Sequence, residues 1–389
     1  FTIILARILL PELFGLYSLA LSTIMIFTAF SDLGINQTMA RFVSREFGKD
    51  NTKKARAYFL YLGKVKLFFT FLSIVFLMIT ARFISENYYH KPVYLALVVG
   101  SFYILFSTLF VILKSLFEAM NDFKLIFYQE VLFQTARIIL VPGILLFILK
   151  FMASDSAIIA YIIAGLSVSY LTSFAFYLFH SKKLRILEEK ETPLTRGEKS
   201  RLRKFILATS LIILSGVFFS YIDRVMLGYF VQPEFIGYYA AAFSLINSSV
   251  ILVTFSTALL PIFSRLKKKE LSALYNKAIK VVLASSTILL ILFLAFSSVI
   301  TELVYGESYV LSTGILRLFS LLLVTMPVIS LSTTYLIAAG RPEAISKVLV
   351  TTTLTNILLN YLLISKMVGY GQLQGVYGAV IATLASSVL

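Results

Sequence analysis

The chain has 389 residues, of which 59% are hydrophobic and only 14% charged, and its mean hydropathy is +0.90. A water-soluble protein could not hide that much apolar surface, so composition excludes the ordinary soluble classes. The absence of Cys excludes disulfides, thiolate catalysis and Cys-based metal sites, and the net charge of +16 resides mainly in short links between apolar runs rather than in a nucleic-acid-binding face.

In chain order, apolar runs predict membrane spans at 1–9, 13–36, 65–84, 93–114, 125–149, 157–179, 205–229, 235–260, 279–301, 311–338, 344–365 and 373–389. Most are long enough to cross roughly 30 Å of hydrocarbon. The expected fold is an all-α polytopic membrane protein of about twelve transmembrane helices. Phe1 and Leu389 both fall inside apolar runs, so the sequence reads as a fragment truncated at both ends. Trp is absent, leaving Tyr and Phe to furnish any interfacial aromatic belt.

Links 41–66, 114–124, 180–204, 265–280 and 341–347 hold 27 of the 35 Lys and Arg residues. The positive-inside rule places them, and the N-terminus, on the cytoplasmic side of a multi-pass protein of the cell membrane. Segments 41–64 and 264–280 are amphipathic and basic, the pattern of helices that lie along anionic lipid headgroups. The longest polar stretch, 181–204, reads as a linker between an N-terminal lobe (1–180) and a C-terminal lobe (205–389). Six spans per lobe is an even number, so the lobes insert in the same orientation.

An internal repeat supports this division. Pro11-Glu12-Leu13-Phe14-Gly15-Leu16-Tyr17 reappears as Pro233-Glu234-Phe235-Ile236-Gly237-Tyr238-Tyr239, and Ser44-Arg45 with Ser264-Arg265 and Ala119 with Ala338 keep nearly the same offset. Both copies fall where an external turn is expected, and Pro and Gly there suit a tight turn.

Catalytic constellations are missing. His90 and His180 lie at opposite ends of spans, the external acids Glu86, Asp155, Glu302 and Glu307 are scattered, and no Walker-type glycine loop is present. No catalytic residue, metal ligand or cofactor is expected. Charges inside the spans carry more information, because charge at membrane depth costs several kcal/mol unless it meets a cavity or partner. These are Arg7, Asp32, Glu130 and Arg137 (seven apart, on one helical face), Asp223 with Arg224, and Arg317. The predominance of Arg over Lys favours a planar, bidentate anion such as a pyrophosphate. Arg7, Arg224, Arg317 and Arg137 are the candidate substrate-binding residues, and Asp32, Asp223 and Glu130 the candidate ion-coupling ones. Pro142-Gly143 and Pro327 interrupt apolar helices and are candidate kinks.

Ala6-Arg7-Ile8-Leu9-Leu10-Pro11-Glu12-Leu13-Phe14-Gly15-Leu16-Tyr17, Ser31-Asp32-Leu33-Gly34-Ile35 with Arg41 and Arg45, the second Pro-Glu-x-x-Gly-x-Tyr, and Gly375-Val376-Tyr377-Gly378-Ala379 together resemble one family. It is the polysaccharide-biosynthesis flippases of the multidrug/oligosaccharidyl-lipid/polysaccharide (MOP) exporter superfamily. The resemblance covers essentially the whole chain. It implies a MATE-like pair of parallel six-helix lobes that alternates access across the membrane. The cargo it implies is a polyprenyl-pyrophosphate-linked oligosaccharide, its pyrophosphate held by arginines (Arg7, then Arg224 and Arg317). A proton or sodium gradient is the implied coupling, with membrane lipids and glycan-assembly proteins as partners. A multidrug/cation antiporter using Asp32 or Asp223 is the nearest rival. A major-facilitator transporter lacks its Gly-x-x-x-Asp-Arg pattern here, and a membrane glycosyltransferase or polymer ligase is opposed by the short external loops. A scaffold gives no reason for arginines within spans.

Overall fold

The computed structural model describes residues 1–149, 154–180, 192–254, 259, 262–263, 266, 268–339 and 342–388. Residues 181–191 of the expected 181–204 linker and the Ser264-Arg265 repeat lie outside the described residues. Within them the chain is helical and contains no strand: α1 (Thr2–Asp32), α2 (Ile35–Phe47), α3 (Thr52–Arg82, extended by a π-turn at Phe83–Tyr89), α4 (Tyr94–Ala119), α5 (Phe123–Leu149), α6 (Asp155–Phe179), α7 (Arg196–Phe230), α8 (Pro233–Val250), α9 (Lys268–Tyr305), α10 (Ser312–Phe319), α11 (Leu322–Ala338), α12 (Pro342–Met367) and α13 (Gln372–Val388). Nine stretches among the described residues are long and apolar enough to cross a membrane. The chain is an all-helical, multi-span membrane protein.

The difference between nine stretches and twelve expected spans has a local origin. α1 counts once, yet it is broken at Leu10, whose φ of 58° and ψ of 173° are not helical. Pro11 is the cause on the C-terminal side, because a residue before proline is pushed out of the α region. The expected spans at 235–260 and 373–389 appear as α8 and α13, with 18 and 17 residues. The expected span at 311–338 still counts as one stretch, Ser312–Ala338, although its helix is divided into α10 and α11.

Two compact units are present: Phe1 with Ala20–Tyr221, and Thr2–Leu19 with Ile222–Leu389. In the first, α2 to α6 and the start of α7 enclose a core in which Phe117 stacks on Tyr177 at 4.8 Å and Ile35, Met39 and Leu62 are fully buried. α2 buries Ile35, Met39, Phe42 and Val43 while Arg41 and Arg45 stay exposed, as its amphipathic pattern predicts. Leu33 and Gly34, both at positive φ, turn α1 into α2. A Cβ on Gly34 would stand 2.3 Å from the Thr209 hydroxyl oxygen, so only glycine fits there.

Both copies of the repeat lie in the second unit, and they touch each other. A Cβ on Gly15 would come 1.8 Å from the Pro233 carbonyl oxygen, and one on Gly237 would come 2.0 Å from the Pro11 carbonyl oxygen. Each glycine therefore rests on the other copy's proline, the close backbone approach that small residues allow between membrane helices. Tyr309 packs edge-on against Phe14 of one copy and Tyr238 of the other, and its hydroxyl donates to the Ala6 carbonyl at 2.9 Å. The tight-turn reading of these glycines is thus corrected: both are helical, and their lack of a side chain serves a helix–helix contact. Gly15→Ala or Gly237→Ala is expected to cost more than the roughly 1–3 kcal/mol of ordinary overpacking, because backbone rather than a side chain must yield. Gly143→Ala, where a Cβ meets nothing within 4 Å, is expected to be tolerated. Thermal unfolding of the purified variants checks this, and equal melting of all three would contradict it.

Candidate substrate and ion sites

The most enclosed carboxylate among the described residues is Asp223 of α7, 3% exposed. Three neutral donors converge on its carboxylate: the Tyr239 hydroxyl from α8 at 2.5 Å, the Asn360 amide from α12 at 2.6 Å and the Thr383 hydroxyl from α13 at 2.6 Å. Asn356, one helical turn before Asn360, donates to Ser386 at 3.1 Å. The side-chain carbonyl oxygens of Asn356 and Asn360 are both buried without a hydrogen-bond partner. A buried acceptor left unmade costs about 1–3 kcal/mol. The Asn360 carbonyl, on the amide that contacts Asp223, and the Asn356 carbonyl one helical turn away add neutral oxygens to a cluster with one carboxylate. Such a set suits a hard cation or a proton. Among the described residues no group of three or more His, Cys, Asp or Glu forms, so a multi-carboxylate cage for a divalent ion is not built there.

Three of the four candidate arginines fall in this second unit. Arg7 is exposed and donates from Nε to the Val304 carbonyl at 2.8 Å and from Nη2 to the Leu303 carbonyl. Arg317 is exposed on α10 and donates from Nε to the Ser297 hydroxyl at 2.7 Å. Ser297 follows Phe296, whose φ of −111° and ψ of 18° kink α9. Ser297 and Val304 are seven residues apart on one helical face, about 10 Å along the axis. α9 therefore anchors both guanidinium groups, and among the described residues neither meets a carboxylate. Arg224 lies over the Phe243 ring at 5.6 Å, and Phe243 packs on Phe319 at 5.5 Å, two residues from Arg317.

The first unit holds the rest. Arg137 stacks over Phe133 at 5.5 Å and donates to the Gln134 amide oxygen at 2.7 Å, while Gln134 donates to Glu130 at 2.8 Å. The one-face spacing of Glu130 and Arg137 is thus bridged by Gln134. Glu130 also faces Lys114 at 3.8 Å. Asp32 accepts from the Asn36 backbone N–H at 3.3 Å and pairs with Lys66 Nζ at 3.1 Å. Lys66, only 2% exposed, also donates to the Asn36 side-chain oxygen.

Sequence reading missed Lys66, Tyr239, Asn356, Asn360 and Thr383. Lys66 was absorbed into a basic link, although the apolar run Leu67-Phe68-Phe69 that follows it marks a membrane-embedded lysine. Asn356-x-x-x-Asn360, an amide pair one turn apart in an apolar helix, was the available signal for the other set.

Solved structures with this fold include an inward-facing multidrug resistance MATE family transporter of the MOP superfamily (15% identity, 100% of this chain and 90% of that one, TM-score 0.79). The lipid II flippase MurJ in an inward closed conformation is another (17% identity, 100% and 82% covered, TM-score 0.72). A third is a MOP superfamily transporter from Pyrococcus furiosus described as having reversed binding-pocket polarity (17% identity, 99% and 93% covered, TM-score 0.56). At these identities the likeness establishes the fold. No curated protein sequence matches significantly. The sequence profile of the family described as polysaccharide biosynthesis protein matches residues 1–267, more than half of the chain. With the fold of MOP-superfamily transporters and that profile match, the chain belongs to the polysaccharide biosynthesis protein family.

Proposed function

We propose that the protein is a flippase for polyprenyl-pyrophosphate-linked oligosaccharide, working by alternating access in the cell membrane with its N-terminus cytoplasmic. Residues 1–180 and 205–389 are its repeated halves, joined by a cytoplasmic linker. The observation that carries the reading is the pair Arg7 and Arg317: both exposed, both oriented by neutral oxygens, neither offset by a carboxylate among the described residues. Guanidinium groups held this way keep their charge and remaining N–H donors for an anion, and their planar fork matches phosphate oxygens. Arg224 adds a third positive charge in the same unit. Membership of a polysaccharide-biosynthesis family favours a sugar-bearing lipid as the owner of that anion. One protein sharing the fold is described as a lipid II flippase, so in that case the architecture serves lipid flipping.

Asp223 is the coupling carboxylate in this proposal. A single buried negative charge with two unpartnered amide oxygens takes one monovalent cation or one proton, and that occupancy biases one conformation over another. A multidrug/cation antiporter would use Asp223 equally well but gives Arg7 and Arg317 no anion to hold.

In proteoliposomes, Arg7→Ala and Arg317→Ala are each expected to slow translocation of a polyprenyl-pyrophosphate oligosaccharide roughly tenfold or more, the loss of a charge-assisted contact of about 1.5–3 kcal/mol. Wild-type rates in both variants would remove the anion assignment. Asp223→Asn is expected to abolish stimulation by an imposed sodium or pH gradient. Undiminished stimulation in that variant would show that coupling lies elsewhere.

A further inference from the structure

The first unit contains a cavity of about 220 Å³, lined among others by Asp32, Asn36, Lys66, Ser107, Thr108 and Tyr170. Its size sets one limit: drug-sized ligands occupy pockets of roughly 300–1,000 Å³, so this space takes something smaller. Its charge sets another. Asp32 is neutralised within the protein by Lys66, whose Nζ lies 3.1 Å away. The Lys66 ammonium already occupies the place beside the carboxylate where a free cation would bind, while Asp32 repels an anion that Lys66 would attract. Neither class of ion finds an uncompensated charge.

Hydrogen-bonding capacity remains. A lysine ammonium has three donors, and two of these are used, on Asp32 and Asn36. Asp32 binds both its partners through Oδ1, leaving Oδ2 as an acceptor. Ser31 and Thr70 reach the Thr108 hydroxyl only at 3.5 and 3.4 Å, long for contacts between hydroxyls. Tyr170 meets Tyr103 edge-on at 5.2 Å, giving the cavity aromatic surface beside its donors and acceptors. A neutral ring bearing several hydroxyls satisfies this combination: hydroxyls for the carboxylate, ammonium and threonine, and apolar C–H faces for the tyrosines.

We infer that this cavity is a subsite for one neutral sugar ring, with Asp32, Asn36 and Lys66 as its polar contacts. The inference rests on the flippase reading for the source of the sugar, namely the glycan of the cargo. It gives Lys66 two roles: it keeps the site net neutral, so that hydroxyl geometry rather than charge selects the ligand, and its third N–H is a donor for a sugar hydroxyl.

The full chain in nanodiscs, titrated with the methyl glycosides of a neutral hexose and of an N-acetylhexosamine and monitored by saturation-transfer NMR, tests this. Sodium chloride and inorganic phosphate serve as competing ionic probes. Saturable glycoside binding is expected, insensitive to both ions. It should weaken at least tenfold in Ser107→Leu, which fills the cavity without touching the Asp32–Lys66 pair, and in Asn36→Ala, which needs no added volume. Ser285→Ala, in the second unit, should bind as wild type does. Glycoside binding unaffected by both cavity variants would overturn the location, and displacement by sodium or phosphate would overturn the ligand class. Lack of any glycoside binding in protein that still translocates lipid-linked sugar would overturn the subsite and leave the flippase intact. Glycoside binding in protein that translocates no lipid-linked sugar would uphold the subsite and reject the flippase.

Discussion

A charge removed from water is costly unless something replaces its hydration, and the placement of ionisable groups in this protein follows from that constraint. Three solutions occur. Lys66 and Asp32 neutralise each other inside the first unit. Asp223 keeps its carboxylate satisfied by a phenol, an amide and a hydroxyl, which meets its hydrogen-bonding needs without supplying an opposite charge. Arg7 and Arg317 are steadied by oxygens that carry no charge at all. Only the first is a direct ion pair. Asp223 has the Arg224 guanidinium as a nearby positive charge, and Arg7 and Arg317 meet no carboxylate among the described residues.

The repeated Pro-Glu-x-x-Gly-x-Tyr shows how duplication becomes architecture. Each copy begins a helix at its proline, where the missing N–H is no loss. Four residues later, each glycine removes the side chain that would hold the two backbones apart. Tyr309 then fills the space beside the contact, touching an aromatic residue from each copy. The carbonyls that orient Arg7 belong to residues 303 and 304, immediately before Tyr305 and within one to two helical turns of Tyr309 in the chain. The motif contact and the guanidinium anchor are therefore neighbouring features of one packing arrangement.

Much of the fold was legible because hydrocarbon imposes a simple rule on sequence: apolar runs of sufficient length become helices. The break at Leu10 was legible too, through Pro11. The sites were only half legible. Asp223, Arg7 and Arg317 stand out because each interrupts an apolar run, and that signal is local. Their partners are not local: Asn360 and Thr383 lie 137 and 160 residues from Asp223, and no spacing rule connects them. Lys66 was obscured by its neighbours, since a lysine at the end of a basic link resembles positive-inside bias until its burial is known. Gly15 and Gly237 were recognised as a pair, but turn chemistry and close helix packing ask for the same residue, and only the three-dimensional contact separates them.

The central claim is that Arg7 and Arg317 in the second unit hold the pyrophosphate of a lipid-linked sugar. Native mass spectrometry of the intact protein with a polyprenyl-pyrophosphate sugar and with the matching polyprenol tests it most directly. The account predicts that the wild-type protein retains the pyrophosphate lipid well over the polyprenol, and that Arg7→Ala combined with Arg317→Ala erases the preference. Equal retention of both lipids by the wild type, or an undiminished preference in the double variant, would contradict it.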